Sequence, residues 1–203
     1  MVTIVVAGPQ ASGKTTLALA LGRALDVPVF SRDPLVTALL AGYPRHIRRL
    51  LRGRAARAGL RLQTMLLAGQ LQAGQSAVLE CVAPAQARRA WRELTQAAGG
   101  RYLAVECMCS DAAVHEVRLR ARRAAAGGRG ISWRQARATM RRYQPDPQPD
   151  FVADAVVPVA ELTAAIAALL AADGAGYDGQ DRTAGTGQAG TERADQRPPG
   201  EEL

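Results

Sequence analysis

Gly8-Pro9-Gln10-Ala11-Ser12-Gly13-Lys14-Thr15 fits the spacing G-x-x-x-x-G-K-[ST] and directly follows the apolar run Val2–Ala7. Residue types at this spacing can hold a polyphosphate. Gly8 and Gly13 let the backbone curl so that successive N–H groups converge on an anion. Lys14 can reach the β- and γ-phosphates of a nucleoside triphosphate, and the Thr15 hydroxyl can ligate Mg²⁺. A helix beginning near Thr15, with Thr16 in its first turn, directs its positive end at the same anion. Composition singles out the lysine. The chain holds 25 arginines and one lysine, Lys14, and no asparagine. An ammonium point charge is kept where a planar guanidinium does not substitute.

The elements that must position this loop follow from periodicity. A length of 203 residues suits one α/β domain whose core rests on Leu, Val and Ala, since aromatic residues make up only 4%. Short β-rich runs at 2–7, 27–30, 77–81, 102–108 and within 151–159 predict five strands. Between them the spacing predicts helices at 15–25, from Pro34 onward, at 85–98, at 111–126 capped by Asp111, at 132–143 capped by Ser132, and at 160–172. Strands alternating with helices imply a parallel sheet covered on both faces.

From residue 45 the chain is arginine-rich. Arg45, Arg48, Arg49 and Arg52 share one helical face, opposite Ile47, Leu50 and Leu51, whereas Arg54, Arg57 and Arg61 fall on the other side. This change of face predicts a kink or break near Gly53, with a second helix to about residue 73. Gly127-Gly128-Arg129-Gly130 can hinge, and the prolines of 145–149 forbid regular structure. Residues 173–203 carry seven acidic and three basic residues without apolar periodicity, so an acidic disordered tail is expected there, after a domain at 1–172. The body is left strongly basic, which suits an anionic ligand.

No apolar run reaches the ~20 residues that span a bilayer, and the first residues already form a strand, so a cytoplasmic location without membrane attachment is expected. Cys81, Cys107 and Cys109 lie in or beside apolar strands and read as reduced core residues. His46 and His115 have no metal-ligand partners nearby and read as ordinary surface or helix residues.

The order of landmarks resembles a family of small P-loop kinases. After the loop come Ser31-Arg32-Asp33, then Val78-Leu79-Glu80, then Val105-Glu106-Cys107, then Glu116-Val117-Arg118-Leu119-Arg120-Ala121-Arg122. Tyr143-Gln144-Pro145 and Asp154 complete the match. The family includes polynucleotide-kinase-like domains and AAA-family or zeta-toxin-like kinases. The resemblance spans about residues 1–172 and implies an α/β P-loop NTPase fold in three layers, α/β/α. Its five-stranded parallel sheet would have the order 2-3-1-4-5, with a basic helical lid at about 118–143.

By position, the resemblance makes Asp33 the carboxylate that accepts the proton of an attacking hydroxyl; the alternative is a cap for the helix at Pro34. Glu80 stands where the family usually has an Asp serving Mg²⁺; the alternative is a pairing with a nearby arginine. Arg118, Arg122, Arg123 and Arg129 match the lid, whose arginines would neutralise charge on the transferring phosphoryl group. ATP, Mg²⁺ and a hydroxyl-bearing acceptor, small molecule or nucleic acid, are the implied ligands. Two other readings use the same residues: a switch ATPase without an acceptor, and a nucleic-acid-binding module built on the arginines of 45–61. That second stretch lacks interleaved aromatic residues for base stacking.

The loop generates the first test. Replacing Lys14 by Ala is expected to abolish the rise in melting temperature caused by ATP while the unliganded protein still melts cooperatively. An unchanged nucleotide affinity in this variant would overturn the assignment.

Overall fold

The computed structural model describes residues 1–128 and 130–174. Arg129 and most of the acidic segment expected at 173–203 lie outside the described residues. Five strands form one sheet: β1 (Val2–Ala7), β2 (Val29–Ser31), β3 (Ala77–Glu80), β4 (Arg101–Met108) and β5 (Phe151–Asp154). Their order is β2-β3-β1-β4-β5 and every pairing is parallel, as expected. The helices are α1 (Lys14–Ala24), α2 (Arg32–Leu40), α3 (Arg45–Gln72), α4 (Ala85–Ala97), α5 (Ala112–Ala125), α6 (Trp133–Met140) and α7 (Val159–Gly174).

Alternation along β1 builds two cores. Ile4 and Val6 point to one face, where they meet Leu17, Ala18 and Leu21 of α1 with Leu162 and Ile166 of α7. Val5 and Ala7 point to the other, against Leu67 and Leu71 of α3 and Trp91 of α4. Trp91 is fully buried, and its indole Nε1 donates to the Thr64 hydroxyl at 2.8 Å. One large ring with a satisfied donor supplies bulk that the Leu- and Ala-rich core otherwise lacks.

The register aligns the carboxyl ends of the strands. Val6 pairs with Glu80, Ser31 with Glu80, and Met108 with Asp154, so the following loops gather along one edge of the sheet. This edge is where open parallel sheets place ligands. Two of the helices there start as their sequences require. Asp111 caps α5 by accepting from the Ala113 and Val114 N–H groups, and Ser132 with Gln135 forms a capping box on α6.

The expected break near Gly53 does not occur. α3 runs unbroken for 28 residues, about 42 Å, from Arg45 to Gln72. A buried stripe of Ala55, Gly59, Gln63, Leu67 and Leu71 continues along it at four-residue steps. α3 packs chiefly beside α2, with Gly59 against Val36 and Arg32, and the arginines of both sets are exposed, so the change of charged face demands no change of backbone. Helix α7 also takes in residues 173 and 174, which the sequence placed in the tail.

The glycines of these helices have opposite roles. A Cβ on Gly53 would touch nothing within 4 Å, whereas one on Gly22 would meet Val29 Cγ2 at 2.4 Å and one on Gly59 would meet Val36 Cγ2 at 2.7 Å. Gly53→Ala is therefore expected to stabilise the fold by about 0.5–1 kcal/mol. Gly22→Ala and Gly59→Ala should each cost about 1–3 kcal/mol from overpacking. Urea denaturation of the three variants checks this; a destabilised Gly53→Ala would restore the broken helix.

Candidate functional site

The loop between β1 and α1 is shaped by close approach. Gly8 has φ 147° and lies so near β4 that a Cβ there would be 2.3 Å from the Cys107 carbonyl oxygen. Gly13, at φ 85°, precedes α1 without any side-chain cap, which leaves the first amides of that helix for another partner. Ala11 takes φ 62°, uncommon for a residue with a Cβ. Ser12 is buried and its hydroxyl donates to the Pro9 carbonyl at 2.9 Å.

Lys14 is only 7% exposed, and its Nζ donates to the same Pro9 oxygen at 2.6 Å. Burial holds its pKa below the ordinary lysine value, opposed chiefly by the charge of Glu80. The two thiols beside it, Cys81 and Cys107, are pushed up to about 12 by burial and stay neutral. Together with the half-buried Cys109, all three cysteines are free.

Two cavities open from this edge. The larger, about 710 Å³, has the loop and helix residues Ala11 to Leu17 as its floor. Arg118 and Arg122 of α5 also line it, with Ala155, Val156, Val157 and Pro158 from the turn after β5. The smaller, about 320 Å³, is lined by Gln10, Asp33, Leu119, Arg122, Arg123 and lid residues Gly130 and Ile131. Arg122 belongs to both. The structure thus gathers Lys14, Thr15, Thr16, Arg118 and Arg122 around one space and Asp33, Arg122 and Arg123 around the other.

Asp33 is in the first turn of α2 with its side chain 66% exposed, 3.3 Å from Arg32 Nη2. It makes no side-chain cap, because Ser31 holds the cap position and bonds nothing there. Glu80 lines neither cavity; it is buried at the end of β3, where Lys14 feels its charge most. Among the described residues no group of three or more His, Cys, Asp or Glu is arranged to hold a metal ion. A Thr hydroxyl and one carboxylate are nonetheless hard oxygen donors that suit Mg²⁺, which takes few protein ligands beside phosphates. The arginines of 45–61 line neither cavity.

Several positioning residues escaped the sequence reading. His115 is not a surface residue: it is 3% exposed, and its Nε2 donates to the Gln10 carbonyl at 2.7 Å. Its burial comes from α5 lying over the loop, a tertiary contact that helical periodicity does not report. Gln63 of α3 donates to the Phe30 and Glu80 carbonyls at 2.7 and 3.1 Å, tying together the ends of β2 and β3. The apolar wall after β5 had only its place at a strand's carboxyl end as a signal.

Comparison with known families matches residues 3–146 to the model described as AAA domain. Comparison with curated proteins finds no match. The fold is shared with a candidate kinase from Chloroflexus aurantiacus, with a TM-score of 0.67 at 21% identity over 84% of this chain and 96% of that one. A gluconokinase from Sinorhizobium meliloti gives 0.63 at 23% identity, covering 89% and 97%. The Mycobacterium tuberculosis APS kinase CysC in complex with AMPPNP and APS gives 0.56 at 22% identity, covering 83% and 96%. Among the described residues no helix is long and apolar enough to cross a membrane.

The matched region ends at Asp146, where the chain leaving the lid is fastened. Arg88 of α4 is buried, donates to the carbonyls of Ala83, Gln144 and Pro145 at 2.7, 3.0 and 3.2 Å, and lies 3.6 Å from Asp146. The Asp146 N–H donates to the buried Glu106 carboxylate at 3.2 Å, while burial and Glu106 hold the Tyr143 hydroxyl above its usual range. Removing one partner leaves buried polar groups unmatched. Arg88→Met is therefore expected to cost about 3 kcal/mol, with strong coupling to Asp146→Asn in a double-mutant cycle. Additive effects in urea melts would show that the anchor is not a unit.

Proposed function

The chain belongs to the AAA-domain family, and from that premise we propose an ATP- and Mg²⁺-dependent kinase that phosphorylates a hydroxyl-bearing acceptor. The observation that carries this reading is Arg122, which lines both the cavity floored by the loop and the cavity holding Asp33. Donor and acceptor compartments meeting at one guanidinium suits phosphoryl transfer, which depends on positioning the two reactants and neutralising charge between them. Neighbours of the same fold named gluconokinase and APS kinase support it.

In this mechanism the triphosphate lies over the free amides that start α1, and Lys14 leaves its loop carbonyl for the β- and γ-phosphates. The acceptor enters the smaller cavity. Its hydroxyl oxygen forms the new bond to Pγ, the bond from Pγ to the bridging oxygen of ADP breaks, and the hydroxyl proton passes to Asp33. Arg118 and Arg122 stabilise the charge spread over the equatorial oxygens. Thr15 and Glu80 would hold Mg²⁺, which supplies charge neutralisation at the β- and γ-phosphates when bound. The three free cysteines fit a reducing, cytoplasmic setting.

Transfer from labelled ATP across nucleosides, sugars, antibiotics and 5′-hydroxyl oligonucleotides tests the proposal. With an acceptor in hand, Asp33→Asn is expected to lower transfer about 10²–10⁴-fold while ATP still binds. ATP hydrolysis that needs no acceptor and is indifferent to Asp33→Asn would favour the switch ATPase instead.

A further inference from the structure

His115 has no place in the mechanism above, yet it is among the most buried polar groups of the molecule. Its Nε2 lies 2.7 Å from the Gln10 carbonyl oxygen. A carbonyl only accepts, so Nε2 carries the proton and the ring is the donor. The bonded peptide is the one joining Gln10 to Ala11, and its C=O and N–H point in opposite directions because the unit is planar and trans. Holding the carbonyl against His115 turns the Ala11 N–H the other way. Ala11 lines the larger cavity.

The same peptide enters a residue at φ 62°, a left-handed conformation disfavoured for alanine by roughly 1 kcal/mol. Without a partner for its carbonyl, this peptide has a ready reason to flip. The His115 ring also meets the lid. Its centroid is 5.4 Å from that of Trp133, the first residue of α6, with the planes at 73°. His115 therefore contacts the crest of the loop and the second lid helix at once.

We propose that His115 is a positioning residue that aims the Ala11 N–H at the phosphate chain and couples occupation of the loop to Trp133 in the lid. The proposal rests on the nucleotide reading of the loop. It predicts a selective defect: nucleotides whose phosphates reach the crest should lose affinity, and a monophosphate should not.

The test uses the full chain, AMPPNP and AMP. The chain has two histidines, so side-chain ¹⁵N spectra separate buried His115 from exposed His46, and His115 is expected as the Nε2–H tautomer that shifts on AMPPNP addition. His115→Leu, which keeps bulk but removes the donor, should weaken AMPPNP about tenfold and leave AMP within about twofold. His115→Gln, whose amide can donate in place of Nε2, should restore most of the loss. AMPPNP should change tryptophan emission, and Trp133→Phe should remove that change because Trp91 is fully buried in the core and held by Thr64. An Nδ1–H tautomer, an equal loss for AMP and AMPPNP, no loss at all, or failed rescue by Gln each overturns the proposal. If His115→Leu does not fold, the wild-type tautomer and the Trp133→Phe emission decide. Wild-type protein that binds neither nucleotide overturns the nucleotide reading and this proposal together; the other outcomes sink this proposal alone.

Discussion

Lys14 is buried, its Nζ 2.6 Å from a backbone carbonyl of its own loop, with Glu80 as the strongest opposing charge. Burying an ammonium is costly unless it is paired and hydrogen-bonded. The Pro9 oxygen satisfies one of its three donors. Much of the fold can be read as the apparatus that keeps this charge where it is. β3 carries Glu80 beside Val6, Gln63 pins the ends of β2 and β3, and the absence of a Cβ at Gly8 lets the loop lie against the Cys107 carbonyl. A polyphosphate entering this space would meet a partly buried cation, where electrostatic attraction is stronger than at the surface.

The arginines above the loop follow a related logic. Arg120 is paired with Glu116 on the same helix, whereas Arg118 and Arg122 line the larger cavity. Like charges converging on one cavity repel until an anion lies between them. The exit of the lid is fixed in the opposite manner, by Arg88, which binds three carbonyls and faces Asp146 in a largely buried setting.

What was legible in the sequence was local. The phosphate loop, the apolar run of β1 and the caps at Asp111 and Ser132 each depend on residues within a few positions of one another. The strand order came through resemblance, and the sheet has that order. Failures arose where distant segments decide. Gly53 read as a break because charge changed face, but an exposed helix need not keep its charges on one side. His115 read as unremarkable because the loop that buries it is about a hundred positions away, Gln10 to His115. Arg88 carries no signal of its own in the sequence, and only the returning chain at 144–146 makes it an anchor.

The loop itself shows why its motif alone does not make a site. Two of its unusual φ values fall on glycine and a third on Ala11, whose side chain gains nothing from that conformation. Three separated elements hold it. β4 presses on Gly8, Ala155 after β5 lies 3.3 Å from where a Gly13 Cβ would be, and α5 supplies His115 to the Gln10 carbonyl. Each comes from a part of the chain at least 90 positions beyond the loop, so the free motif would sample many conformations that the folded protein forbids. Preorganisation of this kind shifts the cost of ordering from the binding step to the folding step. The pressure for such ordering is greatest at Ala11, where strain and a single hydrogen bond from another helix meet on one peptide.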